Sequence, residues 1–382
     1  MSCAPTPRLL AAFLACACCV ASPAAAEDRL LEETVNFSGA IAWLGSGAPA
    51  MIIAAIRDGE TAVAGFGEAA DNSGRAPDGD TLLRIGSISK AFCGDVTGSL
   101  AVEGRLGLTD PLANHLPGWT VPEKDGRALR LIDLATQSSG LPREVPNQTG
   151  GTPDDPFAGN TWELSKKELA ADPFLFAPGT GALYSNWGFD LLGAALAHAG
   201  GKPYAELLSE RILQPNGMTA TKFDLAPGDE DNAMQGHNFD GAPMPFAPTP
   251  ETIQCAGGLY TTANDVLKWL AWHLSDSSAE DAEWRRMLHA GWLWRDGLSP
   301  VSGLDDGGEM AAMGLGWVAV APEGNRPMLL QKTGGLQGIF SYVAIAPSRR
   351  TGVFIAMNRF SVAGFPGMVE MANELVASLT PR

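Results

Sequence analysis

Lysine is scarce in this chain. Its eight lysines and its arginines give 26 basic residues against 43 acidic ones in 382, a formal charge of −17. Such a surface repels a phosphate backbone, which excludes nucleic acid as a partner. Histidine is sparse too. His115, His198, His237, His273 and His289 form no H-E-x-x-H pair and no close metal-ligand spacing, which argues against a zinc peptidase and against any resident metal. There is no G-x-S-x-G, hence no nucleophile elbow of the α/β-hydrolase kind, and no glycine-rich phosphate loop. No cofactor is implied. Past the first 26 residues no apolar run is long enough to span a bilayer, so the mature chain is expected to lack a transmembrane anchor. No internal repeat is present, and nothing here fixes an oligomeric state.

The six cysteines divide unevenly. Cys3, Cys16, Cys18 and Cys19 fall in a leader-like start, where Arg8 precedes an apolar run over 9–20 and Ala24-Ala25-Ala26 offers small residues for cleavage. Residues 1–26 are therefore expected to be a secretory signal peptide, with the mature chain starting at Glu27. Only Cys93 and Cys255 then remain to meet an oxidising exterior. They either pair in one disulfide or stand as two buried thiols.

What is present in quantity is apolar: 45% of residues are hydrophobic and 18% charged, which suits one large domain, or two intimately joined parts, with a substantial core. Residues 51–57 and 61–66 read as strands joined through Asp58-Gly59, the composition of a tight hairpin turn. Further strands are predicted over 314–320, 328–331, 338–346 and 352–357, and a closing helix over 366–379. Helices are predicted between these ends, over 131–135, 165–171, 188–199, 204–213 and 263–274. This order predicts an α+β fold. Its antiparallel sheet, flanked by helices, comes from a terminal α/β part at about 27–85 and 305–382, with a mainly helical part inserted at about 86–304. A cleft between the two is the expected ligand site, and the irregular segments 142–159 and 226–250 are expected to shape it.

The stretch "RIGSISKAF", residues 84–92, raises a chemical question. Ile88, Ala91, Phe92, Val96 and Leu100 recur at helical spacing, so a helix runs on to Glu103 and stops at Gly104. It is apolar nearly all round, which places it in a core. Ser87 and Lys90, three apart, then stand side by side. Burial lowers a lysine's pKa and leaves a neutral amine able to take a hydroxyl proton, which turns serine into a nucleophile. A lone S-x-x-K has a plainer reading, with the serine as a helix cap and the lysine snorkelling to water. Two other motifs decide against it. Tyr184-Ser185-Asn186 precedes a predicted helix, and Lys332-Thr333-Gly334, followed by Gly335, lies between two predicted strands; each combination occurs once.

In this order and separation the three motifs resemble those of the serine β-lactamase and penicillin-binding protein superfamily, in its class C β-lactamase-related branch, whose middle element is Y-x-N. The runs "LATQSSGLPRE" from Leu134, "YSNWGFDLLGAALAHAGGKPY" from Tyr184 and "GLGWVAVAPEGNRPMLLQKTGG" look most like periplasmic D-alanyl-D-alanine carboxypeptidase/endopeptidases of the AmpH type. The resemblance implies an acyl-enzyme on Ser87, with Lys90 as its base or hydrogen-bond partner and Tyr184 as a second proton-transfer group. It implies that Asn186, Lys332, Thr333, Gly334 and Gly335 bind substrate, with the Ser87 and Gly335 N–H groups forming an oxyanion hole. The implied partners are peptidoglycan peptides and β-lactams, and the implied location is the periplasm. A β-lactamase, an esterase of the same fold and a non-catalytic penicillin-sensing or wall-binding module are the rival readings. Lys332, a cation suited to a terminal carboxylate, speaks against the esterase.

Overall fold

The computed structural model describes residue 1 and residues 29–275 and 281–379. Met1 apart, the expected signal peptide lies outside the described residues. The first hairpin forms as its sequence demands. Strands β1 (Ala50–Arg57) and β2 (Glu60–Gly67) pair in register from Ala50 opposite Gly67 to Arg57 opposite Glu60. Asp58 and Gly59 between them take φ of 50° and 93°, the left-handed backbone that a two-residue turn needs between twisted strands.

Six more strands complete one sheet: β3 (Leu293–Trp294), β4 (Met310–Met313), β5 (Val318–Val320), β6 (Leu329–Leu336), β7 (Ile339–Ala346) and β8 (Thr351–Met357). The order is β2-β1-β8-β7-β6-β5-β4-β3, with every pair antiparallel. The sheet is buried on both faces, which is why β1 reads as an unbroken apolar run. Met51, Ile53 and Ala55 pack with Leu31 and Val35 of helix α1 (Arg29–Ser46) and with Leu375 and Val376 of α9 (Gly364–Leu379). The alternate residues Ile52, Ala54 and Ile56 join the other core, which belongs to a helical body.

That body contains α2 (Ser89–Val102), α3 (Leu131–Ala135), α4 (Trp162–Ala170), α5 (Asn186–Gly200), α6 (Tyr204–Leu208), α7 (Ala263–His273) and α8 (Ala282–His289). Every α2 residue from Ser89 to Leu100 is buried, as its nearly uniform apolarity requires. Phe92 stacks on Trp269 of α7 with ring centres 4.1 Å apart. Asp95, an acid of this buried helix, accepts a hydrogen bond from Trp269 Nε1 at 2.7 Å, which meets part of the cost of burying it.

Several boundaries differ from those read in the sequence. The expected strand over 314–320 is cut to Val318–Val320, because Gly314 donates its N–H to the Trp317 carbonyl at 2.8 Å in a turn that leads back to β4. The expected helix over 204–213 is α6 followed by a π-helical turn, Ser209–Leu213. Thr161 caps α4 earlier than expected by accepting the Leu164 N–H. Lys332 to Gly335 lie inside β6, where a connection between strands was expected. Cys93 and Cys255 form a disulfide, with Cα atoms 5.3 Å apart.

Candidate active site

Ser87 sits in a single 3-10 turn, Gly86–Ile88, that leads into α2. The preceding Gly86 takes φ +52°, and a Cβ there would lie 2.7 Å from the Gly335 amide nitrogen on β6. Glycine is what lets the helix start touch the strand. The turn is pinned from below, because Ser89 Oγ donates to the Gly86 carbonyl at 2.8 Å and accepts from the Leu259 N–H at 3.3 Å.

Lys90 is fully buried. Its Nζ stands 3.2 Å from Ser87 Oγ, donates to Asn186 Oδ1 at 2.7 Å, and donates to the Ala256 backbone carbonyl. Burial pulls the Lys90 ammonium down to about 7, with Asp190 and Glu144 opposing and Arg143 adding to the fall. An amine held there is half deprotonated near neutral pH, so it can accept the serine proton.

Tyr184, 7% exposed, is ringed by cations. Lys90 Nζ lies 4.9 Å, Lys332 Nζ 5.1 Å and Arg143 Cζ 4.7 Å from its ring centre. Lys332 is itself buried on β6 and donates to the Thr333 carbonyl at 3.0 Å; burial lowers its pKa, with Tyr184 opposing. Asn186 opens α5 without capping it. Ser185 is the cap, its Oγ accepting from Gly188 N–H at 2.9 Å, and this leaves the Asn186 amide to bridge Lys90 and Glu144, to whose Oε1 it donates at 2.6 Å.

Strand β6 presents an open edge beside the serine. Its partner β5 pairs at Leu329, Leu330 and Gln331 alone, so among the described residues Lys332 to Leu336 have no β5 neighbour. Two cavities of about 380 and 410 Å³ meet there, sharing Ser87, Arg143 and Gly335. Glu144, Gln148, Asn160, Asn186 and Asp190 make the first polar. The second holds Tyr184, Thr333 and Gly334 beside Phe239, Phe340 and Phe360.

All eight residues singled out in the sequence thus converge: Ser87, Lys90, Tyr184, Asn186, Lys332, Thr333, Gly334 and Gly335. Four participants were not singled out. The Ala256 carbonyl is backbone and leaves no mark in a sequence. Glu144 and Arg143 lie in an irregular segment where no period exposes them. Asp190, whose carboxyl burial holds well above its usual range, did leave a signal as an isolated acid on an apolar helix, four residues after Asn186.

Comparison with known proteins agrees with this geometry. A family model described as Beta-lactamase matches residues 27–377. The D-alanyl-D-alanine-carboxypeptidase/endopeptidase AmpH of Escherichia coli K12 is 33% identical over 97% of this chain and 96% of its own. A beta-lactamase of Pseudomonas fluorescens is 26% identical over 80% of this chain and 87% of its own. Among solved structures, the beta-lactamase/D-alanine carboxypeptidase of Yersinia pestis, complexed with citrate, superposes with a TM-score of 0.83 at 31% identity, covering 93% of this chain and 100% of that one. The counterpart from Pseudomonas syringae superposes with a TM-score of 0.75 at 19% identity over 90% of this chain and 99% of that one, a likeness of fold. A serine open to the cleft beside a buried lysine at a helix start, facing a Lys-Thr-Gly strand, in a chain matched by one family model over nearly its whole length, leaves one assignment: the chain belongs to the beta-lactamase family of serine hydrolases.

Proposed function

We propose that the chain is a periplasmic serine D-alanyl-D-alanine carboxypeptidase/endopeptidase that cleaves peptidoglycan peptides through an acyl-enzyme on Ser87. The observation that carries this reading is the Lys90 amine, buried between Ser87 Oγ, Asn186 Oδ1 and the Ala256 carbonyl. In its neutral form the amine has two hydrogens and one lone pair. With the hydrogens taken by Asn186 and Ala256, the lone pair is left for the Ser87 hydroxyl. Lys90 takes that proton as Oγ attacks the carbonyl of the penultimate D-Ala. Backbone N–H groups of Ser87 and Gly335 receive the developing oxyanion. The C–N bond then breaks, with Tyr184, among its three cations, passing a proton to the leaving amine and recovering one from the Lys90 ammonium, which frees the Lys90 lone pair for the next step. Water attacks the resulting ester by the same route and frees the serine.

The open edge of β6 suits an extended peptide whose terminal carboxylate reaches Lys332 and Thr333. The identity to AmpH over nearly all of both chains supports the substrate class, and the disulfide suits an oxidising compartment. Penicillins, with a strained amide and a carboxylate, are expected to acylate the same serine.

The test is a digest of purified peptidoglycan followed by mass spectrometry. Loss of terminal D-Ala, or cleavage of D-Ala cross-links, by the native protein and not by Ser87→Ala is the expected result. Intact peptides with both proteins would overturn the reading. A second reading, a β-lactamase, is favoured by the relatives of that name; sustained rapid turnover of nitrocefin in place of a stoichiometric burst would select it.

A further inference from the structure

The Cys93–Cys255 disulfide lies closer to the chemistry than a structural bridge needs to. Cys93 follows Lys90 by one turn of α2, and Cys255 is the chain neighbour of Ala256, whose carbonyl receives the Lys90 N–H. The same two elements are therefore tied twice, once covalently and once through the reacting amine. Other ties on the second element are few: Thr249 Oγ1 donates to the Gly258 carbonyl at 3.2 Å, and Ala256 and Leu259 are buried in the helical core. Residues 254–259 belong to no helix or strand. The described backbone N–H bonds of Gln254, Ala256 and Gly257 all run back within their own turn, to Glu251 or Ile253, and the next anchor on the serine's turn is Leu259. Helix α5, which carries Asn186, presses on the bridge as well. A Cβ on Gly193 would lie 2.9 Å from Cys255 Cβ, so the bridge fills the seam where all three elements meet.

Orientation of the Lys90 lone pair depends on where its two hydrogens go. Asn186 is fixed at the start of a helix, whereas Ala256 stands on an irregular segment. If the carbonyl shifts, the amine is free to rotate away from Ser87, and water gains access to it. We infer that Cys93 and Cys255 are positioning residues: their disulfide sets the Ala256 carbonyl against Lys90 and makes acylation at Ser87 depend on the oxidised state of the pair. This rests on the reading of Ser87 as nucleophile. With sulfur atoms on residues 0% and 2% exposed, the bridge acts as a standing clamp set at folding, shielded from reductants that come and go.

The experiment measures the acylation rate by a fluorescent penicillin from pH 5 to 9. It compares the native protein, a Cys93→Ser/Cys255→Ser variant, and native protein reduced and alkylated under mild denaturant and then returned to buffer. Circular dichroism verifies folding, and mass spectrometry counts free thiols. Expected is a rate about tenfold lower at pH 7 without the bridge, together with an acidic limb displaced upward by about half a pH unit, because hydration favours the ammonium. The displaced limb is what a merely stabilising bridge would not produce. An unmoved limb, whether or not the rate falls, would overturn the inference, as would two free thiols in the native protein. If the variant does not fold, the reduced protein supplies the same reading. Failure of the oxidised native protein to take up label would count against the acyl-enzyme itself, a separate outcome.

Discussion

On the proposed mechanism the charge taken from water at Lys90 makes a base, and the pH dependence should report it. Protonation gives the amine three hydrogens and no lone pair, so acid removes the base. With the group at about 7, kcat/KM for D-Ala release is expected to level off above that pH. Below it, the rate should fall about tenfold per pH unit. A stopped-time assay from pH 5 to 9 checks this, and a flat profile would contradict it. Lys90→Arg should lose about a thousandfold or more, because a guanidinium keeps its charge. Lys332→Ala should raise KM about ten- to a hundredfold for a peptide ending in a carboxylate and far less for its amide, the cost of one charge-assisted hydrogen bond. Ser87 and Lys90 were legible from their helical spacing, and the other six singled-out residues because the three motifs, in that order, resemble those of a known superfamily. Their neighbours were less so: the Ala256 carbonyl belongs to no side chain, and Glu144 gains its place only when a loop closes on Asn186.

Among the elements, the meeting of the serine turn with β6 is the most exacting. Gly86→Ala would push a Cβ to 2.7 Å from the Gly335 nitrogen while holding a side chain at φ +52°. It should destabilise the protein by about 1–3 kcal/mol in urea unfolding and slow acylation about a hundredfold by displacing Ser87. A variant with wild-type acylation would show that the contact can relax harmlessly. The sequence was a good guide to the β1–β2 hairpin, where two turn residues sit between apolar runs, and to α2, α5 and α7. It hid α1, whose outer face carries exposed Leu30, Phe37, Ile41 and Leu44 beside the buried Leu31, Val35 and Ala42, so that no single stripe stands out. Helix α8 was hidden because its buried face includes Arg285 between Ala282 and Leu288. The four residues of β4 were too short to show a period.

For the molecule as a whole, the sheet is a wall between two cores, and each needs its own cover. Helix α9 covers one with Met368, Val369, Leu375, Val376 and Leu379. At roughly 1.5–3 kcal/mol for each buried side chain, the helix contributes on the order of 10 kcal/mol, comparable to the whole stability of a typical domain. A chain ending at residue 363 is therefore expected to show no cooperative thermal transition by calorimetry; a sharp transition would mean that α1 suffices. The cleft draws its walls from both sides, Tyr184 and Phe365 from the core that α9 covers and Asn186 and Asp190 from the helical body, and the open rungs of β6 bear on what can enter it. On the proposed reading, a guest laid along Lys332 to Leu336 would be held by its main chain and by its carboxylate end. The point at which the neighbouring strand stops thus sets where such a guest can lie, and on the D-alanyl-D-alanine reading proposed above a peptide ending in L-Ala-L-Ala should remain uncut.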